Sequence, residues 1–103
     1  MDNDPVIARA PSPQGRMVDL TEARWRHIQQ HVEMRAHRDT LLEAIRKPDY
    51  QEPDQRTGRE RYWLRCREPF PFGWLRVVVE FAGDADRIVT AFGQDNDPEG
   101  LPK

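Results

Sequence analysis

The apolar residues of this chain change period near Pro48, and that change divides the sequence into two kinds of element. Upstream, Thr21, Trp25, Ile28 and Val32 recur at three- and four-residue intervals, the spacing of one face of a helix. Asp19-Leu20-Thr21-Glu22 stands before them in the form of a capping box, a side-chain acceptor three residues ahead of a glutamate. This pattern predicts a first helix that fades after Met34. Asp39 is a good N-cap for a second helix with Leu41, Leu42 and Ile45 on its apolar face. Pro48 ends it, and Lys47 before the proline is already biased away from helix.

Downstream the period is two. Tyr50 to Pro53 reads as a short edge strand, a position that tolerates the proline, and Arg56-Thr57-Gly58 as a turn. From Arg59 to Arg67 the alternation sends Tyr62, Leu64 and Cys66 to one face and Arg61, Trp63, Arg65 and Arg67 to the other. Pro69 to Gly73 is a hairpin loop. Trp74 to Phe81 is the strongest strand, with Leu75, Val77, Val79 and Phe81 toward the core and Arg76, Val78 and Glu80 opposite. Gly83 to Asp86 turns the chain into a last strand, Arg87 to Phe92. Residues 1–17, rich in Asp, Pro, Ser and Gly, predict a flexible arm. Residues 18–94 form the domain, and 95–103 an acidic tail. The expected fold is α+β, with two N-terminal helices packed on one face of a three- to four-stranded antiparallel meander sheet.

Composition narrows the class. A chain of 103 residues makes one domain. Its single cysteine, Cys66, permits no internal disulfide and suits a reducing compartment. No apolar run is long enough to cross a bilayer, and the N-terminus lacks the basic-then-apolar pattern of a secretory signal, so a cytoplasmic location is expected. The net charge of −2 conceals an uneven distribution. Residues 56–79 carry six Arg against two Glu, whereas residues 80–103 carry six acids against Arg87 and Lys103. Fourteen of the sixteen basic residues are Arg, whose planar fork matches phosphate and carboxylate in a way Lys does not; a GC-rich genome produces the same bias.

His27 and His31 are four apart and thus neighbours on the expected helix, on the flank between apolar stripe and solvent. Trp25-x-His27-Ile28, then His31-x-Glu33, then Ala44-Ile45-x-x-Pro48 resembles the front half of the phage-type barnase–EndoU–colicin–RelE-like nucleases. Ile88-Val89-Thr90-Ala91-Phe92 is similar to that family's closing strand, and the resemblance spans roughly residues 19–94. It departs where the family has proline after the second histidine and this chain has Val32.

The resemblance implies a metal-independent endoribonuclease with no cofactor. In such chemistry the 2′-OH attacks the adjacent phosphorus and leaves a 2′,3′-cyclic phosphate. The step needs a proton-transfer group, which His supplies near neutral pH, and cations for the growing phosphate charge. His27 or His31 is the expected acid or base. Arg59, Arg61 and Arg65 are expected to bind phosphate, Trp63 to stack a base between them, and Thr90 to orient phosphate. Tyr62 is a further acid by type, but its parity puts it on the core face. The expected partners are RNA (mRNA or tRNA) and, for a toxin or phage-derived effector, an antitoxin or immunity protein meeting exposed Trp63, Phe70 and Phe72; no membrane is involved, and the chain is a monomer or weak dimer. Plainer readings stand beside these. A helix-flank His pair is often structural, an Arg row is often the solvated face of a sheet, and Thr90 is an ordinary strand residue. Cys66, on the inward parity, reads as inert core. A metal at His27, His31 and His37 lacks a completing acid or thiol, and Asp95-Asn96-Asp97 lacks the downstream ligands of a calcium loop. The alternative function is a non-catalytic RNA- or protein-binding module on the same fold.

Overall fold

The computed structural model describes residues 4–102. The chain begins with two strands, β1 (Val6–Pro11) and β2 (Met17–Thr21), which pair antiparallel. Helix α1 (Glu22–Ile28), a 3-10 turn (Val32–Met34) and helix α2 (Arg38–Arg46) follow. Strands β3 (Tyr50–Pro53), β4 (Arg59–Arg65), β5 (Trp74–Glu80) and β6 (Asp86–Gln94) then form an antiparallel meander. All six strands join one mixed sheet in the order β1-β2-β6-β5-β4-β3, with β2 parallel to β6 through Val18–Asp86 and Asp19–Arg87.

This overturns the expected arrangement of two N-terminal helices on a three- to four-stranded meander. The helices lie between β2 and β3, and the sheet has six strands and one parallel junction. The segment expected as a flexible arm supplies β1 and the turn into β2, while residues 1–3 of that expectation, like Lys103 of the tail, lie outside the described residues. Three features hold the hairpin. Gly15, at φ +81°, closes its turn in a conformation that other residues avoid. Arg9 pairs with Asp19 across the two strands at 2.6 Å. Arg16 grips the buried Asp86 at the start of β6 with Nε at 2.8 Å and Nη2 at 2.6 Å. A buried carboxylate needs such a fork, so the contact ties the hairpin to the meander.

The first helix is shorter than its apolar period implies. Thr21, not Asp19, caps it by accepting from the Arg24 backbone N–H, and Asp19 is a β2 residue committed to Arg9. The helix ends at Ile28. His31 is extended (φ −80°, ψ 108°), so Val32 points to solvent at 68% exposure and Met34 is buried in its place. The cause lies in the sheet. β2 covers only the first residues of β6, and among the described residues no strand pairs with the rest of that edge. The segment after α1 closes it, with the Glu33 carboxylate accepting the Gly93 N–H at 2.9 Å. For α2 the cap position is His37 rather than Asp39, with Leu41, Leu42, Ala44 and Ile45 buried.

Both helices pack on one face of the sheet, where Val18, Leu20, Tyr62, Leu64, Leu75, Val77, Val79, Ile88 and Ala91 meet Ile28, Met34, Leu41, Leu42 and Ile45. Phe81, expected in this core, lies beyond the end of β5 and is 46% exposed. Cys66 follows β4 half-buried against the core, and burial pushes its thiol up to about 11, as suits an unreactive group. Gly93 is a point of close approach, since a Cβ there would overlap the Phe72 ring. Gly93→Ala is therefore expected to cost roughly 1–3 kcal/mol through overpacking, measurable by urea unfolding.

Candidate nucleic-acid interface

The opposite sheet face carries three rows fixed by strand register. The first is Thr90–Val78–Arg61–Glu52, the second Phe92–Arg76–Trp63–Tyr50, and the third Gln94–Trp74–Arg65. Alternation along each strand puts polar and aromatic residues here because the other parity is spent on the helix-side core. Arg59, at the start of β4 opposite Glu80, shares this parity. Thr90, Arg59, Arg61, Trp63 and Arg65, all singled out from sequence, thus lie on one face.

Their environments differ sharply. Arg61 is almost fully buried and is held by Asp54 at 2.7 Å through Nε and by Glu52 at 3.5 Å through Nη1. The Asp54 hydrogen bond lifts its guanidinium above the ordinary arginine range, against the effect of burial. Burial in turn pushes the Asp54 carboxyl up, but the Arg61 hydrogen bond, the Arg56 N–H and the charges of Arg61 and Arg76 outweigh it, leaving Asp54 below its usual range. Arg61 is already neutralised. Trp63, expected on an open surface, is 1% exposed, and its indole N–H donates to Glu52 at 2.9 Å. It is a wall of the site rather than a platform. Arg65 is exposed, with its guanidinium 4.3 Å from the centroid of the Trp74 ring.

Arg76 is the side chain that sequence reasoning passed over. It is the lone charge within Leu75–Val79, on the face opposite the core, and that parity was its signal. Its guanidinium lies 5.2 Å from the Phe92 centroid and 5.7 Å from that of Trp63. Its nearest carboxylate, Asp54, is 3.8 Å away and already engaged by Arg61, and its buried Nε has no hydrogen-bond partner among the described residues. Burial first, then the Arg61 charge, pull its pKa below the ordinary arginine value, with Asp54, Glu52 and Glu99 acting against them. Arg nonetheless stays charged in proteins. Arg76 is thus a cation with donor capacity unspent. It lines a cleft of about 380 Å³ with Gln55, Arg61, Trp63, Gln94, Asn96, Asp97 and Glu99.

The two histidines expected together on one helix have different settings. His27 stays exposed in the last turn of α1, a helix that packs against β2 and β6. His31 has left that helix and rests on Phe92, with ring centroids 5.3 Å apart and planes tilted by 35°. It stands at the rim of the face, next to the ring that flanks Arg76. His37 is occupied elsewhere, its Nδ1 2.8 Å from the Glu33 carbonyl oxygen and its ring edge-on to Phe70. Tyr62 is buried on the helix side. Among the described residues, no three His, Cys, Asp or Glu side chains gather as a metal cage, and no helix is long and apolar enough to cross a membrane.

The acidic tail is folded. After Gln94 the chain turns back over this same face. Asp95 accepts the Gly73 N–H at 3.1 Å, Asp97 accepts the Trp74 indole N–H at 3.0 Å, and Pro98 is buried. Compared with family models, with curated proteins and with solved structures, the chain finds no match.

Proposed function

We propose that the protein is a metal-independent endoribonuclease that works on the sheet face opposite its helices. The observation that carries this reading is the unbroken row His31–Phe92–Arg76–Trp63, which sets an exposed imidazole and a cation with unspent donors on either side of one aromatic ring. Arg76 binds the scissile phosphate and takes up its growing charge. His31 removes the 2′-OH proton as that oxygen bonds to phosphorus, and returns it to the 5′-oxygen as the P–O5′ bond breaks. The product is a 2′,3′-cyclic phosphate, and no proton is gained or lost overall. Thr90, in the neighbouring row, orients the phosphate. Arg59 and Arg65 hold flanking phosphates, Arg61 fixes Asp54 and Glu52 beneath the cleft, and the cytoplasm is the compartment this reading assigns to the protein, in keeping with its single cysteine.

A second reading is favoured by a separate observation. The other imidazole expected at the site, His27, remains on α1, and Arg61 is neutralised. On that reading the face binds RNA without cutting it. One experiment decides between them. Purified protein is incubated with total RNA in EDTA, and the fragment ends are analysed. Fragments ending in 2′,3′-cyclic phosphate are expected, with the rate lowered about 10²-fold or more by His31→Ala and nearly unaffected by His27→Ala. Binding without fragments would leave the non-cleaving module.

A further inference from the structure

The Trp74 indole lies on the proposed RNA face yet is 3% exposed. The helices pack on the other side of the sheet, so its cover comes from this side: Arg65 against its ring, Trp63 edge-on at 6.1 Å, and the C-terminal segment. Residues 95–102 cross from the end of β6 to β3. At the near end Asp95 and Asp97 hold Gly73 and Trp74, and Gln94 donates to the Asn96 carbonyl oxygen at 2.8 Å. At the far end Gly100 comes so close to β3 that a Cβ would stand 2.6 Å from both the Tyr50 hydroxyl and Glu52 Oε1. In between, Asp97 and Glu99 line the cleft that holds Arg76.

We propose that this segment is an intramolecular competitor for single-stranded RNA, its carboxylates standing on the basic face where phosphates would stand and its backbone covering the indole on which a base would stack. The inference rests on the RNA reading of the face and adds its regulation. Three features support it. The segment has the charge sign of its rival, with Asp95, Asp97 and Glu99 in five residues. It contributes few apolar groups to hold it down, Pro98 and Leu101 among them. What it covers is what a single-stranded binder uses, an aromatic face beside arginines. Release exposes Trp74 and frees the cleft, and RNA binding and segment closure exclude one another.

The test uses the full chain and a non-cleavable probe, a labelled 2′-O-methyl oligouridylate of about eight nucleotides. Gly100→Ile pries the far end from β3 without changing charge. Asp97→Ala cuts the near-end contact to Trp74. Asp84→Asn removes an equal charge from the β5–β6 turn as a control. Acrylamide quenching of tryptophan fluorescence reports the cover, and anisotropy reports RNA affinity. Gly100→Ile and Asp97→Ala are each expected to raise quenching and to tighten RNA binding about three- to ten-fold, as removal of a competing closed state does, while Asp84→Asn changes neither. Should Gly100→Ile fail to fold, Asp97→Ala against its control carries the comparison. Unchanged quenching in the released variants overturns the proposal. So does raised quenching with unchanged affinity, although wild-type binding would then keep the RNA reading intact. Absence of RNA binding by every form overturns the RNA reading itself, and the competitor with it.

Discussion

Arg76→Met is expected to slow RNA cleavage by about 10²–10³-fold, the usual cost of removing one group that stabilises transition-state charge, and to leave the protein as stable as before or more so. The two halves of this result come from the same geometry. A half-buried guanidinium with an unpartnered Nε, a like charge nearby in Arg61, and a carboxylate already taken by that neighbour contributes little to folding. Taking a poorly compensated charge out of a protein and filling its volume with an apolar side chain is often neutral or stabilising. Methionine keeps the packing between Phe92 and Trp63, and forfeits only the cation–π attraction of roughly 0.5–2 kcal/mol. Arg76→Lys retains charge without the fork and should fall between. The check is kcat/KM and thermal melting on the same preparations. Activity and stability lost together would make Arg76 a structural cation and remove the main support for catalysis on this face. Activity lost at constant or raised stability is the pattern of a residue kept for chemistry.

How much of this was legible in the sequence depends on how local the causes are. From Arg59 to Glu80 the period of two placed Leu75, Val77 and Val79 inward and Arg61, Arg65 and Arg76 on the other face, because strand parity is a property of the chain itself. The N-terminal hairpin was not legible. Its β1 follows Pro5, ends on Pro11 and contains Ala8 and Ala10, poor strand formers by local preference. What makes it a strand is pairing with β2 and the Arg16–Asp86 contact across 70 residues. The first helix failed for a related reason. Its period continued to Val32, but the helix ends at Ile28, and from the 3-10 turn beyond it Glu33 accepts the Gly93 N–H on the open edge of β6. A tertiary demand outweighed a helical stripe worth little alone. The site inherits that outcome. His31 stands outside α1, at the head of the 3-10 turn, and meets Phe92. The acidic tail was legible as composition and not as structure, since its anchors, Trp74, Gly73 and Tyr50, are known only once the sheet is assembled.

Trp63 shows how far the same type of residue can change role between sequence and fold, and it carries the largest stability effect expected here. Read along β4 it is an aromatic between two arginines, open to a nucleobase. In the fold it is the most buried large side chain of the sheet face, hydrogen-bonded to Glu52, edge-on to Trp74 and in contact with Arg76. Trp63→Ala is therefore expected to destabilise the protein by about 3–5 kcal/mol, which for a domain of this size lowers the melting temperature by about 15 °C or more. Trp63→Phe keeps most of the packing and loses the indole N–H, but the freed Glu52 oxygen already has Arg61 within 3.5 Å. Its cost should be about 1 kcal/mol, that of one hydrogen bond. Because the ring backs Arg76 from within the sheet, Trp63→Phe should also keep cleavage near the wild-type rate. Denaturant unfolding of both variants, together with their cleavage rates, separates the roles. If Trp63→Ala folds with unchanged stability and loses only RNA binding, the ring is an open platform and the face must be able to uncover itself more deeply than release of residues 95–102 allows.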